Sequence, residues 1–473
     1  MTATLVGSDI QSARTRSAAY AASPKARVQT ALQQADLQAI AQHMFSLMLR
    51  NVSSDGLLIT DPADPASFSR PGCVIAAPSY PAEQPGVDQD YVFNWTRDAA
   101  ITAMELAAAA IPTTPGTGVQ PLIDYVNFAK ACQDNASPTL AHACFTVEGQ
   151  PRPWTEQADG PAVQTLAILQ AFPQLGKATQ ATAEKVITKN LQFLLRVYPD
   201  PTFNLWEEHW GYSFFTTAVQ LKCLQAIASN KHGIRISAGT TGAMVGAMAA
   251  MEAALQGHWN GTCYLSVLTQ PPGEGSPAPV TQGYDPNIDI VMASVYGAVP
   301  CTDTKLLATA AQLRRQWADS SSAVAYPINS SDARLGIGPM LGRYPGDTYD
   351  GDVAHPVLGG HPWALCTCNF AELYYNLASE IVRTQAVPYD DLSAEFFSQV
   401  GIGADAEPGN AAAVLRKAAD GMLQAVIYHS DHLELGEQFD GTTGFAKSLR
   451  DLTWSYAAFI SAVRAKTARD VQG

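Results

Sequence analysis

Long apolar runs are missing from this 473-residue chain, and so are the signatures of most common enzyme chemistries. No stretch of about 18 apolar residues occurs, which excludes a reading as a helical membrane protein. Basic residues are few: Lys and Arg number 29 against 43 Asp and Glu, a formal net charge of −14 with no basic stripe. Nucleic acid and anionic membrane surfaces are therefore not expected partners. Charged residues make up only 15% of the chain, which argues against a disordered polymer, and the 47% that are hydrophobic can build a large core. The first 24 residues lack the apolar stretch of a signal peptide. Cellular location stays open between the cytoplasm and a secreted form whose leader is absent from this sequence.

Motifs for phosphate, dinucleotide and ester chemistry are absent too: no G-x-x-x-x-G-K-[ST], no G-x-G-x-x-G after a strand and no G-x-S-x-G. H-E-x-x-H is missing as well. The eight cysteines are scattered without metal-finger spacing and are expected as buried free thiols. His429 and His432 have H-x-x-H spacing with Glu434 nearby, but a histidine pair in a loop is more often solvated than metal-bound. No metal and no organic cofactor is expected.

Helical periodicity is present from Pro24 onward. Residues 26 to 51 form a long run of good helix formers. Ile101, Met104 and Ala108 recur at helical spacing; so do Phe215, Val219, Cys223 and Ile227, and Leu449, Leu452, Tyr456, Phe459 and Val463. Alanine-rich, mildly apolar helices of this kind pack helix on helix. Long loops rich in Gly, Pro, Asp and aromatics separate them, at 52–94, 255–287, 320–362 and 429–446. Such loops on a rigid helical body suggest a site built at one end. The expected organisation is a tail over residues 1–25 and one all-α domain over 26–473. The runner-up is two helical domains divided near 256–285.

What remains for chemistry is carboxylates set among aromatics. Trp206 and Trp210 bracket Glu207 and Glu208 ahead of a helix for which Ser213 is the expected N-cap. Neighbouring carboxylates in an aromatic wall repel, which favours one keeping its proton, the form a general acid needs. Tyr91, Trp95, Arg97 and Asp98 open another helix. Arg343, Tyr344 and Asp347 form a third group and Trp363 a fourth. Glu437 and Asp440 occupy a glycine-flanked loop ahead of Arg450, Asp451 and Trp454. Each group taken alone reads as a capped helix with a core tryptophan. Five aromatic and charged groups at loop-to-helix edges suit a sugar pocket instead: rings pack on pyranose faces while Asp and Arg bind hydroxyls.

These segments resemble the glucoamylases of glycoside hydrolase family 15. Tyr91 with Trp95-Thr-Arg-Asp98 is similar to Y-x-x-x-W-T-R-D, and Trp206 to Thr216 to W-E-E-x-x-G-x-S-F-F-T. Arg343-Tyr-Pro-Gly-Asp347-Thr-Tyr349 is similar to R-Y-P-E-D-x-Y, and Pro362-Trp363-Ala-Leu-Cys-Thr367 to P-W-x-L-C-T. Glu437-Gln-Phe-Asp440 through Arg450-Asp-Leu-Thr-Trp454-Ser-Tyr456 follows E-Q-Y-D…R-D-L-T-W-S-Y. The resemblance runs in order from about residue 55 to 465. It implies an all-α (α/α)6 barrel, a six-hairpin toroid whose long loops form a pocket at one face.

The resemblance also implies roles: Glu207 as general acid, Glu437 as general base, and Glu208, Arg97, Asp98, Arg343 and Asp347 as sugar contacts. Trp95, Trp206, Trp363 and Trp454 would line the walls, with Tyr91 near the base; Trp154 and Leu205 are further expected contacts. The implied activity is exo-acting, inverting release of β-D-glucose from the non-reducing ends of α-1,4-glucans and malto-oligosaccharides. The partner is then the glucan itself, for an enzyme expected to act as a monomer. An inverting pair stands about 6.5–9.5 Å apart, leaving room for water. The family's W-G-R-P-Q-x-D-G-P becomes Trp154-Thr-Glu-Gln-Ala-Asp159-Gly-Pro161, a change at the outer subsites. No starch-binding module is expected. Two alternatives stand beside this reading: α-1,6 (isomaltose, dextran) or trehalose preference within the family, and a catalytically inactive carbohydrate-binding protein.

Overall fold

The computed structural model describes residues 36–61, 64–78, 90–109, 119–351 and 356–467. The expected tail over 1–25 lies outside them, as does the first part of the expected helix over 26–51. Its described part is α1 (Leu37–Met48), capped by Asp36, whose carboxylate accepts from the backbone N–H groups of Gln38 and Ala39.

Helices then alternate between two layers. After the outer α1 come the inner α2 (Thr96–Ala109), outer α3 (Gln120–Asn135), inner α4 (Gly160–Ala171), outer α5 (Lys177–Val197), inner α6 (Phe214–Ala228) and outer α7 (Ala238–Gly257). The second half continues with the inner α8 (Asp289–Val295), outer α9 (Thr304–Ala318) and short α10 (Pro327–Leu335). The inner α11 (Ala364–Thr384), short α12 (Ala394–Ser398), outer α13 (Pro408–His429) and inner α14 (Thr453–Thr467) complete it. Each inner helix packs on the next, and α14 packs back on α2, so the inner ring closes. Each outer helix covers an inner one: α3 on α2, α5 on α4, α7 on α6, α9 on α8, α13 on α11 and α1 on α14. The fold is an (α/α)6 barrel.

Inner helices meet partners on every side, so burial goes beyond the stripes seen in the sequence. Phe215, Val219, Cys223 and Ile227 are buried on α6, but so are Phe214, Ala218, Leu221 and Leu224 around them. On α2 the expected face was too narrow: Met104 and Ala108 are only half-buried, while Ala100, Ala103 and Ala107 are buried. A helix apolar all round gives little amphipathic signal. The last helix also starts later than its periodicity suggests. Leu449 and Leu452 precede it, because Asp451 takes φ 54 and breaks the helical path before Thr453. All eight cysteines are free thiols, seven of them buried.

Because each outer helix carries the chain back, the six inner helices present their N-termini at the same end. Unsatisfied N–H groups and aligned peptide dipoles make that end favourable for negative charge. The acidic and aromatic groups of the sequence converge there.

Candidate active site

A cavity of about 340 Å³ opens at this end, near the lower limit of the ~300–1,000 Å³ common for small-molecule sites. A larger groove, about 520 Å³, lies beside the segment 443–451 and contains neither Glu207 nor Glu437. The smaller cavity is lined by both Glu207 and Glu437.

Glu207 sits at the tip of a hairpin. The strand Thr202–Phe203 pairs with Trp210–Ser213, and the turn between them is organised by Asn204. The Asn204 side-chain oxygen accepts from the backbone N–H groups of Glu208 and His209, both at 3.0 Å, and its carbonyl accepts from Glu207. Glu207 itself adopts φ 63, an uncommon conformation for a residue with a Cβ and one that concentrates at functional sites. Its carboxylate is gripped by two indoles: Trp95 Nε1 donates to one oxygen at 2.9 Å and Trp154 Nε1 to the other at 2.7 Å. As expected, Ser213 caps α6, its hydroxyl accepting from Thr216 N.

Glu437 sits on a second hairpin, where Gln438–Phe439 pairs with Ala446–Lys447. Three hydroxyls donate to its carboxylate: Tyr91 at 3.2 Å to Oε1, and Tyr349 at 3.0 Å and Ser448 at 2.7 Å to Oε2. Only 3% of Glu437 is exposed. Burial pushes its carboxyl above the usual glutamate range, against the three hydroxyls and the charge of Arg343, which pull it down. Gly351 lets Ser448 approach, since any Cβ there would collide with the serine hydroxyl.

Two buried arginines line the cavity. Arg343 forms a two-pronged pair with Asp347, Nε at 2.8 Å and an amino group at 2.7 Å, and also reaches Glu208 at 3.0 Å. The rings of Trp206, Tyr344, Tyr349 and Trp363 surround its guanidinium, each centroid about 5.2 or 5.3 Å away. Glu208 in turn accepts from Tyr344 and Tyr284. Arg97 pairs with Asp159 at 2.9 Å and lies 3.6 Å from Asp98, under the ring of Trp454. Burial raises Asp98 to about 6, partly offset by Arg97. Asp98 Oδ2 and Trp363 Nε1 are buried polar atoms with no hydrogen-bond partner among the described residues, although Asp98 Oδ2 lies 3.6 Å from the Arg97 guanidinium.

Of the residues expected from the sequence, Tyr91, Trp95, Arg97, Asp98, Trp154, Leu205, Trp206, Glu207, Glu208, Arg343, Trp363, Glu437 and Trp454 all line this one cavity. Asp347 does not. It is fully buried behind Arg343, where its two oxygens fix the guanidinium, so its place is that of a positioning residue rather than a sugar contact. Asp440 accepts from Thr442 N and Thr443 N and braces its own loop, and Arg450 is exposed outside the cavity. His429 bonds Asp332 at 3.0 Å. Sequence reasoning missed four residues. Tyr349 stood at the end of the R-Y-P motif and was not assigned a role. Asp90 and Arg152 also line the cavity, and Ser448 holds Glu437. Asp90 and Arg152 lie just outside the recognised motifs, so only the fold exposes them.

Two glutamates facing one aromatic-walled cavity at the inner-helix N-termini of an (α/α)6 barrel fit the class of carbohydrate-cleaving hydrolases. The model for glycosyl hydrolases family 15 matches residues 44–464, and the chain belongs to that family. Glucoamylase 1 of Rhizopus oryzae is 30% identical over 409 residues, covering 80% of this chain. The chain spans 65% of that relative's length. A probable glucoamylase of Schizosaccharomyces pombe is 26% identical, with 88% of each chain covered. Among solved structures, the Hormoconis resinae glucoamylase superposes with a TM-score of 0.74 at 23% identity, covering 92% of this chain and 73% of that one. The Saccharomycopsis fibuligera glucoamylase does so at 0.73 and 22%, covering 93% and 97%. These superpositions establish the shared fold.

Proposed function

We propose that the protein is an exo-acting, inverting hydrolase that releases β-D-glucose from the non-reducing ends of α-1,4-glucans. The observation that carries this reading is a pair of carboxylates facing one cavity and each fixed by side-chain donors: Glu207 by two indoles, Glu437 by three hydroxyls. The closed end, with Arg97, Asp98 and Arg343 buried, suits a single terminal glucose. The mouth, where Trp154 is 47% exposed, faces the rest of the chain. A closed end against the terminal sugar accounts for exo action, since a chain cannot thread through.

Glu207 donates its proton to the glycosidic oxygen as the bond to the anomeric carbon breaks. Glu437 removes a proton from a water that attacks the opposite face of the ring, so the anomeric centre inverts. Its three donors hold the carboxylate in position and oppose the burial that would otherwise favour its protonated form. Arg97, Asp98, Arg343 and Glu208 bind the hydroxyls of the terminal sugar, while Asp347 keeps Arg343 aimed. The test uses maltotriitol, whose reducing end is blocked. Attack from the non-reducing end yields glucose and maltitol; appearance of maltose and glucitol would overturn the exo assignment.

A further inference from the structure

We propose that Arg152 selects the leaving group, and that it favours α-glucosides whose leaving unit carries an anionic group. The inference rests on the hydrolase reading above. Arg152 follows the strand Cys144–Phe145, and its backbone N–H donates to the Cys144 carbonyl at 3.1 Å. Its guanidinium lies 4.0 Å from the centre of the Phe93 ring, 4.3 Å from Trp154 and 5.9 Å from Trp95. Trp95 and Trp154 are the two indoles that hold Glu207. The charge therefore sits one ring away from the acid, at the exposed, leaving-group side of the cavity.

The three arginines lining the cavity differ in one respect. Arg97 is matched by Asp159 and Asp98, and Arg343 by Asp347 and Glu208. No carboxylate of the described residues forms an ion pair with Arg152. Stacking occupies only the faces of a guanidinium, and its donors radiate from the edge. Apart from a bond to the Cys144 side chain, that edge has no side-chain partner among the described residues. A fixed cation with no ion-pair partner among the described residues, one ring from the acid, complements a carboxylate or phosphate ester on the leaving unit better than a neutral hydroxyl.

Maltobionate and maltitol test this directly. Both release glucose from the same α-1,4 bond, and their open-chain leaving groups differ by one carboxylate. The proposal predicts a kcat/KM ratio of maltobionate to maltitol above one, falling as salt is added. Arg152→Gln should lower that ratio about tenfold, the scale of one charge-assisted hydrogen bond, and Arg152→Lys should retain part of it. Thermal unfolding of each variant checks that it is folded. A wild-type ratio at or below one, or a ratio unchanged in Arg152→Gln, would overturn the proposal while leaving the hydrolase reading intact. Failure to release glucose from maltose itself would overturn both.

Discussion

Replacing Ser448 with alanine probes the base without touching it. The serine hydroxyl donates to Glu437 Oε2 at 2.7 Å, an oxygen it shares with Tyr349 at 3.0 Å. A hydrogen bond to a charged group is worth about 1.5–3 kcal/mol, and one pKa unit corresponds to about 1.4 kcal/mol. Because Tyr349 and Tyr91 remain, the low end applies and the Glu437 carboxyl should rise by about one unit. Burial already holds it above the ordinary range, so the rise adds to an existing displacement. The base works only when ionised, so the acidic limb of kcat/KM against pH should move to higher pH by about one unit. Below that limb the variant should be roughly tenfold slower, and on the plateau it should approach the wild type. The assay is glucose release from maltose at low substrate, from about pH 3 to about pH 8, with folding checked by circular dichroism. A limb that stays in place while the plateau falls would refute Glu437 as the group that sets it.

Other expectations follow from the same geometry. Glu207→Gln and Glu437→Gln should each fold and lose about 10²–10⁴-fold in turnover, measured by glucose release; near-wild-type rate in either would remove its role. Asp347→Ala strips the buried Arg343 of its two-pronged partner and should cost about 3–5 kcal/mol in urea unfolding. Stability should also depend on pH. Burial raises Asp285, Asp289 and Glu372 to about 7 and Asp98 to about 6, above their unfolded values near 4. Groups raised in this way favour the folded state fully below about pH 4, and that contribution is lost as pH rises through 6 to 7. The unfolding midpoint should therefore be several degrees higher at pH 5 than at pH 8, and a flat dependence would contradict the assigned burial.

The sequence revealed the site where its residues stand next to one another, and failed where partners meet only through the fold. Trp206-Glu207-Glu208 and Glu437-Gln-Phe-Asp440 carry their chemistry locally. Ser448 reaches Glu437 across a hairpin whose pairing no local pattern announces. Asp347 looked like a sugar contact because it sits among Arg343 and Tyr344; the close i, i+4 pair it forms with Arg343 instead turns it inward. The helices were legible as helices, but their layers were not. Inner helices such as α2 and α6 are buried all round, so alternation of inner and outer helices leaves only a faint trace in amphipathicity. Trp154, expected as a contact although the motif around it departs from the family's, reaches Glu207 with its indole N–H at 2.7 Å.

The central claim is that Glu207 and Glu437 act on opposite faces of the terminal glucose. The measurement that tests it most directly is proton NMR of maltotriose with the enzyme at mildly acidic pH, following the first anomeric signal before mutarotation. β-Glucose appearing first is the predicted result. α-Glucose appearing first would mean that configuration is retained and would contradict the roles assigned to both carboxylates.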